Sequence, residues 1–209
     1  NSGDFDLVQF PDGRACIVFD RVHTDMVVID LTPDYLDTTV QYSSHYYRRC
    51  PPYVREAPAV FFRKGQGYIF TSGTTGYFPN PTETACFEDI HGHWKELGTP
   101  HMGDTKKTSF DSQISCVFKH PDKKDLYIAM ADRWLTDLPE NRPDICDIYK
   151  AMFDSECALE LKEQYKNFST ESLTKQNISV ADYVWLPLCF EDNVPRLYWQ
   201  DSWRIEDYD

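Results

Sequence analysis

An all-β fold is what this sequence predicts, on three observations. Short runs rich in β-branched and aromatic residues recur along the chain. Polar turns join them in pairs, and the pairs return at a nearly constant interval. The first pair runs from Asp6 to Phe19 around Pro11-Asp12-Gly13; pairs of the same form run from Ala57 to Phe70 and from Gln113 to Met130. The anchoring residues Phe10, Phe62 and Phe118 are 52 and 56 positions apart.

Each pair is followed by more strand-like sequence. Met26–Leu31 follows the first, Thr84–Phe87 and His93–Lys95 the second, and Tyr183–Leu188 and Arg196–Trp199 the third. About four strands per unit, in units of this length, fit the blades of a β-propeller. A β-sandwich with regular hairpins has the same periodicity, so the pattern leaves both open. On the propeller reading, residues 1–209 form one partial domain with blade units at about 4–50, 55–100 and 109–209. Propellers have roughly four to eight blades, so three units leave the ring open, to be completed by another segment or chain. Residues 137–180 break the pattern. Asp147–Phe153 and Ala158–Tyr165 have helical composition and apolar spacing at three and four, which predicts a partly helical surface insertion in the last unit.

Composition narrows the partners. The chain has 209 residues, enough for one core or two small ones, and a net charge of −13. That balance argues against sequence-independent nucleic-acid binding and against an anionic membrane surface. No run approaches the roughly 18 apolar residues of a membrane-spanning helix. The 13 Tyr, 13 Phe and 5 Trp suit strands and, where exposed, sugar stacking. The chain opens on Asn1 without a Met or signal peptide, so processing or a longer product is expected. Among seven cysteines no C-x-x-C pair occurs. Cys16 and Cys116 lie in apolar strand patterns and read as buried thiols, and Cys146 with Cys157 is the candidate disulfide. Asn167-Phe168-Ser169 and Asn177-Ile178-Ser179 are glycosylation triplets. With the cysteines and the acidic balance they point to a secreted or lumenal protein.

Five phrases in order carry a more specific likeness: Arg55-Glu56-Ala57-Pro58-Ala59, Thr71-Ser72-Gly73-Thr74-Thr75-Gly76-Tyr77, Ser109-Phe110-Asp111-Ser112-Gln113, Ala131-Asp132-Arg133-Trp134 and Tyr183-Val184-Trp185-Leu186-Pro187-Leu188. Together they resemble glycoside hydrolase family 43, five-bladed β-propellers, and within it the exo-β-1,3-galactanase branch. The likeness covers nearly the whole chain outside the insertion, and it begins part-way into the family's length.

The resemblance implies inverting, exo-type hydrolysis of β-linked galactan or arabinogalactan glycans, and a carbohydrate partner. Inverting hydrolysis needs a protonated carboxyl at the leaving oxygen and a base on the opposite face of the sugar. Glu56 stands at the general acid's position. Asp4 stands where the family has an Asp that tunes the acid, although Gly3 replaces the usual Arg before it, and Asp6 is a competing candidate. Gln113 matches a glutamine that serves as base or water positioner. Thr75, Tyr77, Asp132, Arg133 and Trp134 are the implied substrate-binding residues; Arg133 could bond sugar hydroxyls or pair with Glu56. Tyr183, Trp185 and Trp199 read as packing between blades. His91 and His93 could share one face of a strand, but they lie on a glycine turn and no metal is expected. Nor is any cofactor, since neither a phosphate loop nor a dinucleotide glycine loop occurs. Two rivals remain: a catalytically inactive glycan-binding or scaffold subunit, and an unrelated β-sandwich that binds proteins.

Overall fold

The computed structural model describes residues 2–22, 24–168 and 177–209. Four antiparallel-built sheets follow one another. The first holds β1 (Ser2–Gln9), β2 (Ala15–Arg21), β3 (Asp25–Leu31) and β4 (Thr38–His45) in chain order. The second repeats the plan with β5 (Arg55–Arg63), β6 (Gln66–Gly73), β7 (Glu83–Phe87) and β8 (Lys95–Gly98). The two-residue turn Lys64-Gly65 closes the β5–β6 hairpin with both residues at positive φ, 53° and 84°. That is the backbone a tight hairpin requires and the one glycine adopts without strain.

The third unit departs from the four-strand plan. After β9 (His101–Met102) come β10 (Gln113–Lys119), β11 (Tyr127–Arg133) and β12 (Asp182–Pro187), which form one three-stranded sheet. β13 (Cys189–Glu191) and β14 (Val194–Tyr198) form another with β9, which pairs in parallel with β14. The division falls at Pro187, the last residue of β12. Proline has no N–H to give to a ladder, and the chain turns there to start β13. Between β11 and β12 lie α1 (Ile145–Phe153) and α2 (Leu159–Tyr165). The Asp144 carboxylate caps α1 by accepting from the Cys146 and Asp147 amides.

Packing joins the sheets face to face. Val18, Met26 and Val28 of the first meet Ile69, Ala85 and Phe87 of the second, with Trp94 alongside. Phe61, Tyr68 and Phe70 on the other face of the second meet Ile114, Ala129, Val184 and Leu186. At roughly 1.5–3 kcal/mol for each large apolar side chain buried, these two layers supply most of the cohesion. Polar links cross them. Asp6 on β1 accepts the Val60 backbone N–H of β5 at 2.7 Å, so Asp6 braces two sheets instead of facing a site. His91 bonds Asp30 at 2.9 Å and Ser43 at 2.9 Å, tying the second sheet to the first.

Two apolar faces stay open. Phe5 and Leu7 on β1 are each 61% exposed, and Val40 and Tyr42 on β4 are exposed with them. At the other end Tyr183 and Trp185 on β12 are exposed. Trp185 touches Phe118 edge-on but packs no neighbouring sheet, and Trp199 is likewise exposed. Val184 and Leu186 occupy the inward face of β12, so strand alternation leaves Tyr183 and Trp185 on the open face, where packing between blades needs a further sheet.

Cysteine pairing also differs from expectation. All seven cysteines are free thiols. Cys146 in the first turn of α1 and Cys157 past its far end are therefore unpaired. Cys16 is buried and its thiol is pushed up to about 12, chiefly by that burial. Cys116 is half-buried. Asn177 is exposed at the head of a short 3-10 turn, and Asn167 is exposed; its triplet partner Ser169 lies outside the described residues.

His101 makes the fold acid-sensitive. Its ring is buried edge-on against Phe110, its Nδ1 lacks a partner among the described residues, and burial pushes its pKa down to about 3. A histidine favoured neutral in the folded state contributes full stability above its unfolded value of 6.5, and loses it as pH falls towards 3. His45, stacked on Trp94 and lowered to about 4 by burial, acts with the same sign. His101→Leu is therefore expected to narrow the gap between melting temperatures at pH 7 and pH 4. An unchanged gap would remove His101 from the acid response.

Candidate active site

The first strands of three sheets, β1, β5 and β10, lie side by side at the centre, and each carries a register irregularity near its start. The shifts fall between Ser2 and Phe5, between Glu56 and Ala59, and between Ile114 and Cys116. Bulges bend a strand and re-aim its side chains. The second is the most strained: Ala57 has φ 49°, in the left-handed region, and Pro58 cannot donate to the ladder. The result is to turn Glu56 towards Gln113 while Arg55 points the other way. Arg55 is buried and donates to the Thr71 and Pro81 carbonyls at 2.7 and 2.9 Å.

Glu56 is the chemically unusual group. Burial, followed by the charges of Asp4 and Asp20, pushes its carboxyl up to about 8, so it is largely protonated at neutral pH. Asp20 was not foreseen from the sequence. Burial and Asp4 push it up to about 6, and its Oδ1 has no hydrogen-bond partner among the described residues. Gly3 makes room for it: a Cβ there would lie 2.3 Å from Asp20 Oδ2. The signal was present in the strand pattern, since Cys16, Val18 and Asp20 alternate on the buried face of β2 and a carboxylate on such a face is unusual.

Gln113 is held from three sides. The Trp134 indole N–H donates to its Oε1 at 3.3 Å, and its Nε2 donates to Ser72 Oγ at 2.6 Å and to Glu56 Oε1 at 3.4 Å. An indole nitrogen only donates, which fixes the amide's orientation. An inverting acid–base pair stands roughly 6.5–9.5 Å apart, with sugar and water between. Gln113 in contact with Glu56 has no such gap, so in this geometry it orients the acid. Its segment is rigidly built: Ser109, Phe110 and Asp111 all have positive φ, and Asp104 accepts from the amides of Thr108 and Ser109 at 2.8 and 2.6 Å.

The other expected residues divide. Asp132 is the cross-strand partner of Gln113, and burial raises its carboxyl. With Asp4, Gln113 and Trp134 it lines a cavity of about 330 Å³. Tyr77, half-exposed, leans on Trp134 with ring centres 5.4 Å apart. Thr75 and Arg133 require correction. The Thr75 hydroxyl is fully buried, donating to the Phe78 carbonyl at 2.6 Å and accepting from Asn80 at 2.7 Å, so it shapes a turn. Arg133, one residue after Asp132, takes the opposite face of β11. It donates to the Phe110 carbonyl at 2.8 Å and covers the Trp199 ring, and it makes no ion pair with Glu56.

No family model matches the sequence, and no curated protein matches it. Solved structures do. A GH43 β-1,3-galactosidase superposes with TM-score 0.72 and 25% identity, over 99% of this chain and 35% of its own. A second GH43 β-1,3-galactosidase, solved with galactodeoxynojirimycin, gives TM-score 0.68 and 26% identity, over 98% and 47%. The chain has the fold of the GH43 galactanases. An exo-β-1,3-galactanase from Clostridium thermocellum, at TM-score 0.62 and 23% identity over 94% and 34%, shares that fold. The chain spans between about a third and a half of the first two neighbours' lengths. Its sheets are the open, propeller-type sheets of the galactanase fold, which sets aside the unrelated sandwich.

Within this fold the Gln113 contact has a measurable consequence. Its hydrogen bond favours the charged form of Glu56 and so lowers the pKa that burial raises. Gln113→Met keeps the length and removes the donor. The Glu56 titration, followed by carboxyl carbon NMR, is expected to move above about 8. No movement, or a downward one, would show that the contact is not acting.

Proposed function

We propose that this chain carries the general acid of a glycoside hydrolase, inverting and exo-acting on β-linked galactan or arabinogalactan glycans. The observation that carries the reading is Glu56: a half-buried carboxyl whose pKa is pushed up to about 8, backed by Asp4 and Asp20 and held by Gln113, which lines an open cavity. Such a group can give its proton to the glycosidic oxygen as the C–O bond breaks, while a water bonds to the anomeric carbon from the opposite face and gives up its proton to a base there. The Gln113 N–H then steadies the carboxylate that remains. Asp4 is the tuner, since its charge keeps the proton on Glu56. Gln113 is a positioning residue here, and it would reach an attacking water only by turning its amide away from Glu56. Asp132, Trp134 and Tyr77 offer the sugar a carboxylate and two aromatic faces.

The fold neighbours are named β-1,3-galactosidases and an exo-β-1,3-galactanase, which supports the sugar class. The open faces at Phe5 and Leu7, and at Tyr183 and Trp185, support covering by further sheets from the same or another polypeptide. Secretion and glycosylation at Asn167 and Asn177 belong to the same reading.

The test is to incubate the polypeptide isolated from its source with β-1,3-galactan and follow the released sugar by proton NMR. Galactose appearing first as the α-anomer supports an inverting exo-hydrolase. The β-anomer first would overturn inversion. Binding without release would favour the inactive glycan-binding subunit.

A further inference from the structure

Glu56 lines a cavity of about 460 Å³ that shares no wall residue with the one at Asp4 and Asp132. Its walls are Glu56, the turn at Thr74 and Gly76, the Arg49–Pro51 loop, and Tyr149 and Phe153 from α1. The helix is fixed there at both ends. Ile145 and Ile148 bury one of its faces against Phe78. Arg142, just before it, pairs with Asp111, and Arg49 pairs with Asp154 and, at 2.5 Å, with Glu156.

Tyr149 and Phe153 are four residues apart and so share a face of the helix. Their ring centres are 5.5 Å apart, tilted by 44°. Tyr149 stands close enough to Glu56 for the carboxylate to raise its phenol, after burial. Its hydroxyl reaches Gly76, where an added Cβ would lie 3.4 Å away, and has no hydrogen-bond partner among the described residues. Phe153 is 48% exposed although it is a large apolar ring beside a charged loop.

We infer that the helical insertion builds the leaving-group half of the sugar site, with Tyr149 and Phe153 receiving the pyranose next to the bond that is cut. The inference rests on the β-galactan reading and extends it. A general acid must touch the oxygen between two sugars; Glu56 lines one cavity and Gln113, in contact with it, lines the other, so the two cavities are the two sides of that bond. The inner one, near Asp4, Asp132 and Trp134, takes the terminal sugar. The outer one has an apolar aromatic wall, a phenol hydroxyl and a polar rim. A pyranose has matching parts, a C–H face for the rings and hydroxyls for the rim.

The test uses the complete polypeptide. In Glu56→Gln protein, where nothing turns over, calorimetry compares galactose with β-1,3-galactobiose. The disaccharide is expected to bind about tenfold tighter, Tyr149→Ala to abolish that advantage, and Tyr149→Phe, which keeps the ring, to retain most of it. With Glu56 intact, kcat/KM for galactobiose falls about tenfold in Tyr149→Ala. That for β-galactosyl fluoride, whose leaving atom is too small to reach the helix, stays within about twofold. An advantage unchanged in both Tyr149→Ala and Phe153→Ala overturns the subsite and leaves the β-galactan reading standing. Equal losses for galactose and galactobiose also overturn it, since the damage is then general. Failure of every folded form to bind either sugar sinks the β-galactan reading and the subsite together.

Discussion

Glu56→Gln is expected to abolish hydrolysis and to stabilise the protein at the same time. The activity loss follows from removing the proton donor, a role worth about 10²–10⁴-fold. The stability gain follows from linkage. Glu56 has an unfolded value near 4.5 and a folded value of about 8. Its folded pKa is raised, so the protonated form is favoured by folding. The contribution is fully present below pH 4.5 and is lost as pH rises towards 8, where the fold must hold a buried anion beside Asp4 and Asp20. A neutral amide never ionises. The variant should therefore unfold at higher urea than wild type at pH 8, by an amount on the order of a few kcal/mol, and differ little at pH 4. Wild-type activity should persist to about pH 8 and fall above it. Retained activity removes Glu56 as the acid, and equal stability at pH 8 removes its raised pKa.

Arg55→Ala is the substitution expected to harm the fold most. The guanidinium is buried and reaches Thr71 Oγ1 at 3.2 Å, the carbonyls of Thr71 and Pro81, and Glu83 at 3.3 Å. Alanine leaves those acceptors without a donor inside the second sheet, and breaking a buried charged network costs about 3–5 kcal/mol. Glu83 is offset in part, because Arg48 also pairs with it at 3.5 Å. Arg55→Lys should recover less than half of the loss, because one ammonium cannot fork to groups spread around a planar guanidinium. Urea unfolding of the two variants decides this, and a cost below about 1 kcal/mol for alanine would refute the network.

These two neighbours show what the sequence made legible. Glu56 was legible only through the family resemblance that its phrase carries; nothing in the strand pattern marks it. The hairpins β1–β2, β5–β6 and β10–β11 were legible locally, as β-prone runs joined by a polar turn. β4 was not: nearly every residue of Thr38–His45 faces solvent, so no apolar alternation marks it. β9 was also hidden, because its pairing with β14 joins His101 to Leu197 and leaves no trace in either short stretch alone. In the site, Thr75 and Arg133 were misassigned because a hydroxyl or guanidinium near the right phrase reads alike whichever way it points. One residue of strand register decides whether Asp132 or Arg133 enters the cavity. Tyr149 carried no signal at all, because its role depends on where a helix between β11 and β12 comes to rest.

The β9–β14 pairing also sets an order of assembly during synthesis. The first sheet needs only residues up to His45 and the second only those up to Gly98, so each can form soon after it leaves the ribosome. The sheet of β9, β13 and β14 waits for Tyr198, because the strand beside β14 was made almost a hundred residues earlier. Gln113 and Asp132 stand on the β10–β11 hairpin, which needs only residues up to Arg133. The acid is thus in place first, on a sheet already closed by its own hairpins. The amide that holds it follows with the next hairpin, before the last sheet can close.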